Sequence, residues 1–574
     1  MGQNNSTNTA ASNVNGSTAN PRPPAWIPVN EQPLYKPRKL RVVCVGAGFS
    51  GLMVAYKYKY QTPMDSFLDL VIYEKNPDVG GTWYENRYPG VACDVPAHIY
   101  TFSWEPNPDW TSFYAEGSEI WEYIRRTTTK YGLDERVQFR SKVLSSVWDE
   151  ATGKWTIRIE QTADDGTVSI ITDTADVLIN SSGILSKWRW PAIPGLHDFQ
   201  GSLLHSAQWD TSLDWTGKRV GIIGNGSSAI QIVPKMQPAA ARIVNYIRSP
   251  TWVSAPFASD LTPEGKNFSY SEAEKKRLRE DPAALLALRR TIADNFNKVF
   301  YAFLSGSPQQ KAFADLFQQD MRSRLNSDPV LCAKLIPEWA VGCRRLTPGE
   351  GYLEALQAPN AAIELEPIAR VTPAGIETAD GRVEPLDVLV CATGFDVSFT
   401  PHWDIVGRNG VRLADQWRDD PQAYFGVCAP NMPNYFIFNG PNTPVGHGCL
   451  LPMMEWTAEY VLRWCHKIAS EDLRAVAVSA QATAEYNVYT QEFMGRTVWS
   501  SGCHSWYKNN KGAGSKITAL YAGSILHYKE VLASFRTEDF DLVYRCPHNR
   551  FKFMGNGITQ LEEAGGDLAF YLTK

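Results

Sequence analysis

The sequence predicts an α/β fold in which two parallel-sheet βαβ units are interrupted by a helical insertion. Three observations carry that prediction. LRVVCVGAGFSGLMVAYKY (40–58) runs from a β-branched stretch through a glycine-rich turn into a helical pattern, and KRVGIIGNGSSAIQIVPKM (218–236) repeats the plan. Residues 257–340 instead show amphipathic stretches rich in Ala, Leu, Lys, Arg and Gln, without glycine-rich strand ends. Period and punctuation therefore separate two strand–turn–helix units from one helical block.

Length and composition bound what such a chain does. At about 150 residues per domain, 574 residues allow several domain-sized units. Apolar residues at 44% and charged residues at 20% suit a folded chain. A net charge of -5 gives no basic field for phosphate backbones, so nucleic acid is excluded as the main partner. The 19 Trp, 25 Tyr and 24 Phe suit enclosure of a planar cofactor or a bulky apolar substrate. Ten cysteines without a CxxC pair predict a reducing, cytoplasmic setting, and nine histidines without HExxH predict no metal. No run approaches a membrane span, and the N-terminus has no secretory pattern. Residues 1–24 are too polar to order themselves. Gly2 and Ser6 match the N-myristoylation pattern, which an Asn-rich start also produces by chance.

The first glycine-rich turn, Gly46-Ala47-Gly48-Phe49-Ser50-Gly51, is GxGxxG between a strand and a helix. Its glycines let a pyrophosphate approach backbone N–H groups at a helix N-terminus. Glu74 follows the next strand, 28 residues after Gly46, where a carboxylate accepts hydrogen bonds from a ribose diol. The second turn, Gly224-Asn225-Gly226-Ser227-Ser228-Ala229, leads to a strand that ends in Arg248-Ser249, with an arginine 24 residues after Gly224. A guanidinium there pairs with a 2′-phosphate that a carboxylate would repel; a surface ion pair is the other reading of Arg248. The contrast predicts FAD on the first Rossmann-like fold and NADPH on the second. Disulfide reductases of similar plan need a redox cysteine pair near the flavin, and none follows Gly51.

VLVCATGFDV (388–397) resembles the ATG strand common to two-fold flavoproteins and VLINSSGILS (177–186) is similar to its partner, a resemblance that implies crossings between the two folds at these segments. The expected division is a disordered tail (1–38), an FAD fold split between 39–187 and 385–574 with the C-terminal region, an NADP fold split between 188–256 and 341–384, and the helical insertion at 257–340.

Two further motifs carry a family resemblance. Phe199, Gly201, His205, Trp209 and Asp210 fit FxGxxxHxxxW(P/D), and Gly81-Thr82-Trp83, Tyr88-Pro89-Gly90 and Asp94 fit GxWxxxx(F/Y)PGxxxD. Together they resemble the signatures of type I Baeyer-Villiger monooxygenases over about residues 39–530. The resemblance implies catalytic roles for Arg345 and for Asp94, which holds and tunes it. It places Arg344 toward the NADP 2′-phosphate, Trp506 on the cofactor ribose, and Thr82, Trp83 and Tyr100 among the cofactor contacts. His205 is implied to sit at the interdomain linker as a hinge residue. The implied reaction uses NADPH, O2 and a C4a-peroxyflavin to insert oxygen beside the carbonyl of a bulky hydrophobic ketone, giving an ester or lactone. Arginine suits that role because its charge is permanent at any working pH. An N- or S-oxygenating flavin monooxygenase is the alternative, and a non-catalytic flavin-binding protein a further one. The region around Gly440-Pro441-Asn442-Thr443-Pro444 is the expected substrate wall.

Overall fold

The computed structural model describes residues 29–61, 64–254, 258–444, 446–509 and 515–572. Gly2 and residues 1–28 of the expected tail lie outside the described residues. Residues 29–38 depart from the expected disorder: Leu34 N–H donates to Ile558 O at 2.8 Å, Tyr35 N–H to Phe553 O at 3.0 Å, and the Tyr35 ring stacks on Phe553. Their partners lie more than 500 residues away, so no local pattern announced them.

Two five-stranded parallel sheets organise the chain. The first runs in the order Tyr435–Ile437, Val177–Asn180, Leu40–Val45, Leu68–Tyr73, Val137–Gln138. The second runs Ala361–Glu364, Arg242–Tyr246, Arg219–Ile223, Val388–Cys391, Ser202–His205. Their central strands are apolar on both faces, as helix-covered parallel strands must be; Val42, Val43 and Cys44 are fully buried, as are Val390 and Cys391. Val388–Cys391 pairs with Arg219–Ile223 and Ser202–His205, so it belongs to the second sheet. The expected boundary at 384/385 is corrected accordingly, and the return crossing follows Cys391. An apolar strand run carries no mark of which sheet receives it.

The same steric device closes both sheets at the carboxyl ends of their central strands. Gly46 has φ +105°, and a Cβ there would lie 2.8 Å from Ser181 O on the neighbouring strand's exit. Gly224 has φ +115°, and a Cβ there would lie 2.5 Å from Ala392 O. Each glycine thus permits both the backbone turn and the close approach of the adjacent crossing segment. Helices Phe49–Tyr60 and Ser227–Met236 start directly beyond, neither with an acidic residue in its first turn. Their N-terminal amides point toward the crevice at a topological switch point.

A smaller sheet of Ser141–Asp149, Lys154–Thr162, Val168–Ala175 and Asp404–Val406 flanks the first fold. Between the strands of the second fold lie helices Glu272–Glu280, Pro282–Lys298, Pro308–Arg324 and Pro329–Leu335. Ser271, Asp281, Ser307 and Asp328 cap them through side-chain oxygens, and Pro stands at the start of the last three. Ile292 and Phe296 enter the core of the first fold, whereas Phe317, Met321 and Leu335 enter that of the second. The helical block therefore spans both cores. No helix among the described residues is long and apolar enough to cross a membrane, and no cluster of His, Cys, Asp and Glu among them is placed to hold a metal.

Gly51 tests the strand–helix packing. A Cβ there would lie 2.0 Å from Gly46 O, so Gly51→Ala forces the first helix away from its strand. Urea unfolding should show a loss of about 1–3 kcal/mol, the usual cost of overpacking.

Candidate active site

One cavity of about 1490 Å³ connects the carboxyl ends of both sheets. That exceeds the roughly 300–1,000 Å³ of a pocket for one small molecule, so it has room for more than one ligand. Gly46, Gly48, Ser50, Glu74, Gly81, Thr82, Trp83, Asp94 and Tyr100 line it from the first fold, and Gly224, Gly226, Ser227, Ser228, Arg248 and Ser249 from the second. Arg344, Arg345 and Trp506 complete it. Gly51 lies behind the wall in its steric role.

The first cradle has the features an anionic dinucleotide needs. Gly81 lies against Gly48, and a Cβ on Gly81 would stand 3.2 Å from the Gly48 Cα. Glu74 is buried and accepts from Ala47 N–H at 2.7 Å and Asn76 N–H at 2.9 Å. Burial raises its pKa while those backbone donors oppose the rise. Trp83 Nε1–H donates to the hydroxyl of the half-buried Tyr100 at 3.3 Å.

In the second cradle a Cβ on Gly226 would meet nothing within 4 Å, so the backbone there faces open space. The Ser227 and Thr347 hydroxyls lie 2.6 Å apart. Arg344 donates to Ser249 Oγ at 2.9 Å and to His504 O, and sits over the Trp339 ring. Burial lowers the Arg344 pKa, and the charge that adds to the effect is Arg248, a like charge. Two guanidiniums that converge with no carboxylate paired to Arg344 among the described residues form a site suited to a dianion.

The loop from Gly81 to Asp94 joins the two cradles. Gly81 rests on Gly48; Tyr88 Oη donates to Gln231 Oε1 at 2.8 Å; and Gln231 Nε2 donates to Ala92 O at 3.0 Å. Gly90, with φ +81°, lies so close that a Cβ would be 2.6 Å from Gln231 O. At the end of this loop Asp94 receives a fork from Arg345: Nε to Oδ2 at 3.0 Å and Nη2 to Oδ1 at 2.7 Å. The Asp94 charge raises the Arg345 pKa and outweighs desolvation. The Arg345 side chain keeps 41% of its surface, open to the cavity, whereas Asp94 keeps 16%. A permanent cation is thus anchored on one side and presented to the cavity on the other.

The other signature sits outside the cavity. Gly201 has no room for a side chain: a Cβ would lie 2.4 Å from Asp387 O and 2.7 Å from the Phe199 ring. His205 is fully buried, stacks on Trp188 at 4.5 Å, accepts from Ala207 N–H through Nδ1 at 3.1 Å and approaches Thr393 Oγ1 through Nε2 at 3.3 Å. Trp188 bridges to Phe395, so His205 is packed where both crossings meet. Trp209 is half-buried, and the exposed Asp210 caps its own turn by accepting from Ser212 N–H at 2.9 Å. Sequence reasoning missed Tyr507, Trp190, Arg189 and Gln231 on the cavity wall. Only Gln231, one turn into the second glycine-rich helix, carried a local signal. One covalent link was also unexpected: Cys343 and Cys503 form a disulfide, against the all-thiol expectation, and their separation of 160 residues hides the pair from any spacing rule.

Comparison with known proteins agrees with this geometry. Residues 39–271 match the family model described as flavin-binding monooxygenase-like. The FAD-binding monooxygenase tazF of Aspergillus terreus is 50% identical over 552 residues, 96% of this chain and 97% of that one. The chain belongs to the flavin-binding monooxygenases. Another relative in this family, a Baeyer-Villiger monooxygenase of Pseudomonas aeruginosa, is 35% identical over 472 residues, 82% of this chain and 85% of that one. Among solved structures of the monooxygenases, cyclohexanone monooxygenase from Rhodococcus sp. Phi1 bound to NADP+ superposes with a TM-score of 0.74 at 26% identity, covering 89% of this chain and all of that one.

The buried histidine of this monooxygenase gives a pH test. Burial lowers the His205 pKa to about 4, from an ordinary value of 6.5. The unfolded chain then binds the proton first, so stability is full above about pH 6.5 and is lost as pH falls toward 4. His205→Gln should flatten the slope of unfolding free energy against pH there by up to about 1.4 kcal/mol per unit. An unchanged slope in urea titrations would show that His205 is not held neutral.

Proposed function

We propose that the protein is an NADPH- and O2-dependent monooxygenase that inserts one oxygen atom beside the carbonyl of a bulky hydrophobic ketone, giving an ester or lactone. The observation that carries this reading is the Arg345–Asp94 fork at the junction of two dinucleotide cradles. FAD suits the first cradle, where Glu74 faces a ribose, and its family relative is named for FAD binding. NADPH suits the second, where Arg248 and Arg344 converge, and a structural relative is described as bound to NADP+. The fold division follows: residues 39–187 and about 392–574 around FAD, and 188–256 with 341–391 around NADPH.

When bound, reduced FAD supplies the activated oxygen for such a reaction. The chain's own residues orient and shield it. Gly46, Gly48 and the amides of the first helix hold the pyrophosphate. Asp94 fixes the Arg345 guanidinium with its remaining N–H donors toward the cavity, where they would stabilise negative charge on the reacting oxygen or the substrate carbonyl without donating a proton. Trp506 and Tyr507 line the cavity where they would wall the nicotinamide, and Leu450, Met454 and Pro444 line it where they would offer apolar surface to the ketone.

Arg345→Ala should still take up FAD yet lose about 10²–10³-fold in ester formation, read by product mass with a panel of ketones. Sulfoxidation of a thioether without any ester from any ketone would favour the N- or S-oxygenating reading. Arg248→Glu should raise KM for NADPH about 10- to 100-fold with a smaller effect on kcat, the value of a charged hydrogen bond. An unchanged KM would return Arg248 to a surface role.

A further inference from the structure

The Cys343–Cys503 link stands where it bears on the cavity. Cys343 immediately precedes Arg344 and Arg345, and Cys503 precedes the His504–Lys508 stretch that forms the facing wall. Their Cα atoms are 6.2 Å apart, within the range a disulfide spans without backbone movement. The facing segment has little regular structure: the short turn Val498–Ser500, then bends to Asn509. Besides the disulfide, the Arg344 hydrogen bond to His504 O and the approach of Lys508 Nζ to Cys343 Sγ tie it to the arginine segment.

A second, independent feature is Lys508. Its side chain is 1% exposed; it donates to Ser501 O and to Cys503 O at 3.0 Å, and its Nζ lies 3.9 Å from Cys343 Sγ. A buried ammonium beside a sulfur favours the thiolate, which is the reactive form. The eight other cysteines among the described residues are free thiols. A chain with cores of this size does not need a staple in order to fold, and an isolated disulfide among free thiols is the pattern of a redox-responsive site.

We propose that Cys343 and Cys503 are a peroxide-oxidised dithiol that locks the Trp506-bearing wall of the cavity to the Arg345 segment. The Cys343 thiolate attacks one oxygen of hydrogen peroxide; the O–O bond breaks, and the departing hydroxide takes a proton to leave as water. The Cys503 thiol then attacks the sulfenic sulfur, the S–S bond forms, and the second oxygen leaves as water. Two thiols pass two electrons to one peroxide, and a dithiol reductant reverses the change. Both cysteines are buried directly behind residues that line the cavity, so peroxide needs only to pass that wall. The source of peroxide rests on the proposed flavin oxygen chemistry, in which reduced flavin that meets oxygen without substrate releases it.

The test uses the full-length holoenzyme, reduced with dithiothreitol, desalted and exposed to excess hydrogen peroxide. Free thiols are alkylated after denaturation and mapped by mass. Cys343 and Cys503 should lose alkylation together, appear as one cross-linked peptide two hydrogens lighter than the two thiol peptides, and return on reduction. Lys508→Met should slow the cross-link about tenfold. Hydrogen exchange over 498–508 should rise at least about tenfold on reduction, and Cys503→Ser should show the fast exchange with or without peroxide. Full alkylation of both cysteines after peroxide, a link that dithiothreitol cannot open in the folded protein, or equal exchange in both forms would overturn the proposal. None of these readouts needs NADPH or a ketone, so a failure of the proposed ketone oxidation is separable from a failure of this site.

Discussion

The site depends on one ion pair between residues 251 positions apart in the chain. Asp94 ends a loop that rests on the first glycine-rich turn, and Arg345 follows the helical insertion within the second fold. The fork between them exists only when the two folds face each other across the cavity. Removing Arg345 would leave the largely buried Asp94 carboxylate without its partner, whereas removing Asp94 would leave Arg345 charged but unanchored at the cavity. The pair therefore couples the relative placement of the folds to the electrostatics of the cavity, and the Gly81–Asp94 loop is the part that enforces it. Gly81 and Gly90 are the two places where that loop touches one fold and then the other without room for a side chain.

Around this pair the molecule uses one device twice. Gly46 and Gly224 occupy equivalent positions, each leaving the end of a central strand with positive φ and each pressed against the exit of the neighbouring strand. The cradles differ in charge: a buried carboxylate, Glu74, finishes the first, and two guanidiniums crowd the second. A bound 2′-phosphate would relieve the repulsion between Arg248 and Arg344, whereas the Glu74 carboxylate would disfavour one at the ribose end of the first cradle. The two sites are thus distinguished by sign, with similar backbones.

Much of this was legible in the sequence for a local reason. A strand, a glycine-rich turn and a helix follow one another within twenty residues, and the sterics of that turn select glycine at Gly46 and Gly51. The helix starts of the insertion were equally local, since Ser or Asp before Pro is a cap. What sequence reasoning lost was decided by pairing at long range. Val388–Cys391 reads as an apolar strand, and nothing in it says which sheet it joins. Residues 29–38 read as a tail because their partners lie at the other terminus. Asp94 and Arg345 were reached through resemblance, because no spacing rule links them. Cys343 and Cys503 were missed outright, and so was Tyr507, which has no motif.

On the proposed function, Arg345, anchored by Asp94, faces both cofactors at once. A crystal structure of the full-length protein with FAD and NADP+ tests it most directly. The flavin ring and the nicotinamide are expected to share the Arg345 guanidinium, with the FAD ribose on Glu74 and the 2′-phosphate between Arg248 and Arg344. A nicotinamide bound away from Arg345, or a 2′-phosphate that touches neither arginine, would contradict it.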